Sequence, residues 1–164
     1  MKKQFKFLSL IFVSFLLFSC ASVKPIENFE VLDEKTYEFE VSNADINIAR
    51  LWVAETYNSV EKVIQICDED LDVLIGDGVY STIGQYIFTS SETNFKYRFK
   101  IRCKNNKVEV TYYNFNYGEL ALYLVPPNDE LSYINYGDNQ RAVLDFYKSL
   151  DMLALSLEFY YKTF

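Results

Sequence analysis

Along the chain the apolar positions change period several times, and each change marks an element. In TYEFEV, Tyr37, Phe39 and Val41 alternate with Glu38, Glu40 and Ser42, which predicts a half-buried strand. Ser42-Asn43-Ala44-Asp45 then offers side-chain oxygens to the free amides of a helix start, with acid placed at its positive end. That helix is expected from about Asp45 to Tyr57, with Ile48, Leu51 and Trp52 as its apolar stripe. VEKVIQIC predicts a strand with Ile64 and Ile66 on one face, and LDVLIGDGVY a strand with Leu71, Val73, Ile75 and Val79 on one face. Between them Asp68-Glu69-Asp70 makes a solvated turn, and Gly76 and Gly78 mark a bulge or a close backbone approach.

In NFKYRFKIRCK, Phe95, Tyr97, Phe99, Ile101 and Cys103 alternate strictly with Lys96, Arg98, Lys100, Arg102 and Lys104. Asn105-Asn106 is a turn signal leading into VEVTYYNFNY, so these two strands form a hairpin. Glu109, Thr111, Tyr113, Phe115 and Tyr117 are expected beside the basic row. Tyr117 to Asp138, with Pro126, Pro127 and two glycines, is the least regular stretch, and Arg141 to Tyr161 repeats apolar residues at helical spacing.

The order β-α-β-β-β-β-α implies an α+β domain: an antiparallel sheet with two helices packed on one face. Its expected core includes Trp52, Ile64, Ile66, Val73, Phe95, Phe99, Ile101, Leu144, Leu150 and Leu157. With the aromatic side of the basic strand turned to the helices, the lysines and arginines point to water.

The first residues follow a different logic. Lys2, Lys3 and Lys6 precede an apolar run from Phe7 to Phe18, an export signal too short and too interrupted by serines for a membrane span. Leu17-Phe18-Ser19-Cys20 resembles the lipobox of bacterial lipoproteins, which implies a signal peptide over 1–19 and an acylated Cys20 carrying palmitate-type chains. Such chains bury enough methylene groups for stable anchoring. Residues 20–34 are read as the lipidated cysteine and its tether, and 35–164 as one domain. The resemblance implies a lipid-anchored place in the bacterial cell envelope; Ala21 stands where an aspartate would resemble an inner-membrane retention signal, which points to the outer membrane but leaves the inner one open.

Length and charge narrow the function. At 164 residues and 50% hydrophobic the chain holds one core. Loss of residues 1–19 removes three lysines and no acid, moving the formal charge from −7 to −10. An acidic domain opposes phosphate binding, so sequence-specific nucleic acid is not expected as a partner. The absence of histidine removes the commonest general base and imidazole ligand. The acidic turn lacks the glycine and terminal glutamate of a calcium loop, and Gly76-Asp77-Gly78 with Gly84 does not fit a nucleotide fingerprint. No metal or cofactor is expected. Cys67 and Cys103 would fall on strands separated by a third, near 10 Å apart, which is too far for a disulfide.

LWVAETYNSVEKVIQ, VLIGDGVY and FKYRFKIRCKNNKVEVTYYNF together resemble the bacterial family called domain of unknown function 4468 with TBP-like fold, over about Tyr37 to Tyr117. The resemblance implies a TBP-like fold in a secreted protein or lipoprotein. It carries no catalytic signature and no functional residue.

The function expected is a membrane-anchored, non-catalytic binding or envelope-interaction module. Its candidate contacts with an anionic surface, a glycan or an envelope protein are Lys96, Arg98, Lys100, Arg102 and Lys104, with aromatic neighbours available for stacking. The tyrosines of the 117–138 segment could cover the sheet edge or add an exposed aromatic lip, with the cover slightly preferred. Competing classes are a carboxylate-based glycan hydrolase, needing an acid pair in a pocket, and a structural subunit of an envelope assembly.

Overall fold

The computed structural model describes residues 25–57, 60–85, 90–118, 120, 124 and 130–164. Cys20 and the expected export signal lie outside them, as do Tyr123, Pro126 and Pro127 of the expected aromatic lip. The element order is β1 (Glu34–Glu40), α1 (Ile46–Thr56), α2 (Val60–Val63), β2 (Ile64–Asp68), β3 (Val73–Gln85), β4 (Ser90–Lys104), β5 (Lys107–Asn116) and α3 (Glu130–Thr163). The strands form one antiparallel sheet in the order β1-β5-β4-β3-β2. Both long helices cover one face, as the pattern predicts.

The hairpin β4–β5 organises the core. Asn105 and Asn106 both take positive φ, 54° and 60°, the conformation a two-residue hairpin turn demands and asparagine tolerates. Phe95, Tyr97, Phe99, Ile101 and Cys103 are all buried, as are Val108, Val110 and Tyr112 opposite them. From the helix layer come Ile48, Trp52, Phe146, Leu150 and Leu157, also buried. Phe146 stacks on Phe95 with centroids 5.0 Å apart, and the indole of Trp52 donates to Ser156 Oγ at 3.1 Å, joining α1 to α3. Asp45 caps α1 by accepting the Asn47 amide at 2.8 Å.

Several expectations are corrected. Val60–Val63 is a helical turn, so β2 starts only at Ile64. Ile64 pairs with Gly76 but Ile66 pairs with Ile75, because a bulge at Gln65 adds a residue to β2. The bulge breaks the period of two and turns Ile66 to water, 52% exposed. Leu51 is exposed as well, its place in the α1 stripe taken by Ala49 and Val53.

On β3 the expected face is inverted: Leu74, Gly76 and Gly78 face the core, Val73 and Ile75 are only half-buried, and Val79 is exposed. Large rings explain the inversion. A Cβ on Gly76 would overlap the Phe99 ring, and one on Gly78 the Tyr97 ring. The glycines therefore yield their space to β4, the close approach expected of them.

At the other edge of the hairpin, Lys96 pairs with Asn116 and Arg98 with Tyr113, so two steps on β4 match three on β5. The extra residue sits at Asn114, φ 55°. Phe115 and Tyr117 are thereby swung away from the basic row into the aromatic core, against Phe146.

Two boundaries also move. α3 begins at Glu130, so the second part of the expected irregular segment is helical. Residues 25–34, read from sequence as tether, are docked. The Ile26 amide donates to Gln140 Oε1 at 2.7 Å and the Leu32 amide to the Tyr147 hydroxyl at 2.8 Å. Tyr117 in turn donates to the Leu32 carbonyl at 3.0 Å. This strap ties the start of the domain to its last helix. No helix among the described residues is long and apolar enough to cross a membrane.

Candidate functional site

The outward face of the sheet carries the residues singled out by sequence. Cross-strand register places Arg98 between Asp77 and Tyr113, Lys100 between Ile75 and Thr111, and Arg102 between Val73 and Glu109. Arg98 Nε donates to Asp77 Oδ1 at 2.8 Å, and this contact with its charge holds the guanidinium above its ordinary range. Arg102 lies 3.7 Å from Glu109, and Lys107 donates to Glu38 at 2.6 Å. Lys96, Lys100 and Lys104 have no ion pair among the described residues. Two of the row's five charges are thus balanced in place, an arrangement common on solvated sheets and worth little stability per exposed pair.

The face is not flat. Where the Asn114 bulge bends β5 away from β4, a depression of about 290 Å³ opens, lined by Asp77, Val79, Lys96, Arg98, Asn114 and Asn116. Asn116 Oδ1 accepts the Gly118 amide at 2.8 Å, which fixes the side chain and leaves its amide hydrogens as donors. The rim combines one ammonium, one guanidinium–carboxylate pair and two carboxamides. Such groups can hold a carboxylate or sulfate on Lys96 and read neighbouring hydroxyls through Asp77 and the asparagines. The structure brings Lys96 and Arg98 to this depression, and leaves Lys100, Arg102 and Lys104 farther along the strand toward the hairpin turn. Sequence reasoning missed Asn114 and Asn116. Their signal was present, since asparagine within an aromatic strand marks a position able to take positive φ.

A second groove, of about 330 Å³, runs between β1 and α3, with Tyr37, Phe39, Ala154 and Leu155 as apolar lining and Glu38, Asp151 and Glu158 at its margin. Burial pushes the Asp151 carboxyl up, but hydrogen bonds from Lys35 and Tyr37 with the Lys35 charge outweigh it and lower its pKa. Burial first, then the bond to Asp151, raises the Tyr37 phenol. Glu158 is engaged by Lys162 at 2.5 Å. An acid catalyst of glycoside cleavage must keep its proton near neutral pH, and Asp151 is shifted the opposite way.

Both described cysteines are free thiols. Burial pushes the Cys103 thiol up to about 11, against a partly opposing contact with the Tyr161 hydroxyl at 3.1 Å. A thiol so protonated is a poor nucleophile. In the acidic turn Asp68 Oδ1 accepts the amides of Asp70 and Leu71, both at 3.0 Å, so that carboxylate closes its own turn.

The model of the family "Domain of unknown function (DUF4468) with TBP-like fold" matches residues 36–118. The chain is similar to the crystal structure of a DUF4468 family protein from Bacteroides ovatus, with a TM-score of 0.56 and 17% identity, covering 84% of this chain and 91% of that one. A TBP-like protein from Parabacteroides distasonis gives a TM-score of 0.48 and 11% identity, covering 83% and 97%. At these identities the first likeness shows the fold. No functionally curated protein matches the sequence.

Proposed function

Since the chain belongs to the DUF4468 family with TBP-like fold, whose name records a shape and no chemistry, we propose its function from its own residues. The protein is a lipid-anchored component of the bacterial cell envelope, and its domain is a non-catalytic binding module. The observation that carries this reading is the pairing of the export signal ending in Cys20 with a domain that begins almost at once. Because the strap is fastened from Ile26, only residues 21–25 separate it from an acylated Cys20. Six Cα steps reach at most roughly 21 Å, so the domain works within a molecular diameter of the lipid surface. With Ala21 after the cysteine, the outer membrane is the proposed destination.

The sheet depression is the proposed contact site, and its ligands are anionic or hydroxyl-rich groups of the envelope, such as an acidic glycan. The carboxylates beside Arg98 and Arg102 and the net acidic charge of the domain favour a local contact over a long polyanion.

The anchor is tested by metabolic labelling with a fatty-acid analogue. Wild type is expected to take up label and to pellet with membranes in high salt, while Cys20→Ser does neither; membrane pelleting of the serine variant in high salt overturns the anchor. For the contact, the double variant Lys96→Gln, Arg98→Gln is expected to lose most binding to glycan-containing envelope fractions, while Lys104→Gln retains it. Equal loss in both variants would point to bulk charge instead of a site.

A further inference from the structure

The outward face of α3 carries an apolar seam that neither the core nor the sheet explains. Met152, Leu155 and Phe159 are 65%, 57% and 71% exposed, on the side of the helix opposite the buried Leu150, Ala154 and Leu157. The spacing of three and four continues outward to Lys148, Asp145 and Arg141 on one side and to Lys162 on the other, and each of these positions is exposed. A 4-3 repeat along one helix face is the seam geometry of paired helices, with its apolar positions in the middle and charge at both ends.

We propose that this seam is a homodimer interface, in which α3 of one copy packs antiparallel on α3 of a second copy. The charges select that partner and that direction. A parallel pair would set Asp145 on Asp145, Lys148 on Lys148 and Lys162 on Lys162, each a like-charge contact. An antiparallel pair centred on Leu155 would still oppose Lys148 and Lys162. Shifting the centre to lie between residues 153 and 154 seats Met152 on Leu155 of the second copy and brings Asp145 against Lys162. Within its own helix Asp145 is paired with Lys148 at 2.9 Å and Lys162 with Glu158 at 2.5 Å, so these exposed pairs are shared or exchanged across the seam. In the same register Phe159 meets the stem of Lys148, whose ammonium then lies near the ring. The two-fold symmetry repeats every contact, so one self-complementary patch completes the interface. A membrane surface is the poorer occupant: helices that lie on lipid are basic along their polar flanks, whereas this seam is flanked by Asp151 and Glu158.

The test is thiol cross-linking of the full chain in intact cells with a short bifunctional maleimide. Leu155→Cys is expected to yield a product of about twice the chain mass, at least tenfold above wild type, whose Cys67 and Cys103 set the background. Val79→Cys, equally exposed but on the opposite layer, should remain at background. Adding Lys162→Glu to Leu155→Cys should reduce the product several-fold, and further adding Asp145→Lys should restore it. All changed side chains are exposed, and an unchanged urea midpoint for each variant separates loss of pairing from loss of fold. Leu155→Cys at background, equal cross-linking of Val79→Cys, a product whose mass includes a different protein, or failure of the charge swap to restore pairing overturns the proposal.

Discussion

At the scale of single residues the core is an aromatic cluster whose polar tips must be accounted for one by one. Tyr117 and Tyr147 share a hydrogen bond of 2.7 Å, and Tyr57 meets Tyr97 at 3.0 Å. Tyr112 differs: its hydroxyl is buried and has no partner among the described residues, while its ring meets Tyr37 and Tyr97 edge-on. A buried hydroxyl without a partner carries a desolvation cost, and a bonded one that is deleted leaves its partners unsatisfied. Tyr112→Phe is therefore expected to leave stability unchanged or raise it by up to about 1 kcal/mol. Tyr117→Phe, which strands the Leu32 carbonyl and takes the acceptor from the Tyr147 hydroxyl proton, should cost about 1–2 kcal/mol. Urea midpoints of the two variants read the contrast directly.

Elements are where sequence reading succeeded and where it failed, for the same physical reason. Alternation placed β4 correctly at every position from Phe95 to Cys103, because both its neighbours are paired and its period is unbroken. It failed at Ile66 and beyond Tyr113, where bulges at Gln65 and Asn114 insert one residue and reverse the faces. It also failed on β3, where hydrophobicity pointed to Val73 and Val79 while the core needed the absence of side chains at Gly76 and Gly78. Room for a neighbour's ring has no signature in the hydrophobic pattern of the strand that provides it. The candidate depression was half legible for this reason: Lys96 and Arg98 belong to the regular strand, whereas Asn114 and Asn116 belong to the irregularity. Gly78→Ala is expected to destabilise by about 1–3 kcal/mol through overpacking against Tyr97. A midpoint within error of wild type would show that the ring can move aside.

For the whole molecule, charge is patterned so that folding hardly responds to mild pH change. With no histidine in the chain, stability should be flat from about pH 5 to pH 8. In acid it should fall, and Asp151 contributes to that fall. Its pKa is lowered in the folded state, so the stabilisation from Lys35 and Tyr37 is complete above the ordinary aspartate value of 3.8 and is lost as pH drops through the lowered one. The site is half-exposed, which limits its contribution to about 1 kcal/mol or less. Asp151→Asn should accordingly be less stable than wild type at pH 7, with the gap closing in acid; a gap independent of pH would assign the effect to packing. At the same scale, the sheet depression and the outward face of α3 lie on opposite layers of the domain, so a contact at one need not block a contact at the other.

The strap has a consequence for time as well as for space. Ile26, Leu32 and Lys35 are fastened to Gln140, Tyr147 and Asp151, partners 114 to 116 residues away. Whatever delivers this chain from its first residue onward, a ribosome or a translocation pore, releases the strap long before the helix that receives it. The opening segment must wait for the closing one, so the fold cannot lock until the last helix has emerged, and until then the chain stays loose enough to be threaded.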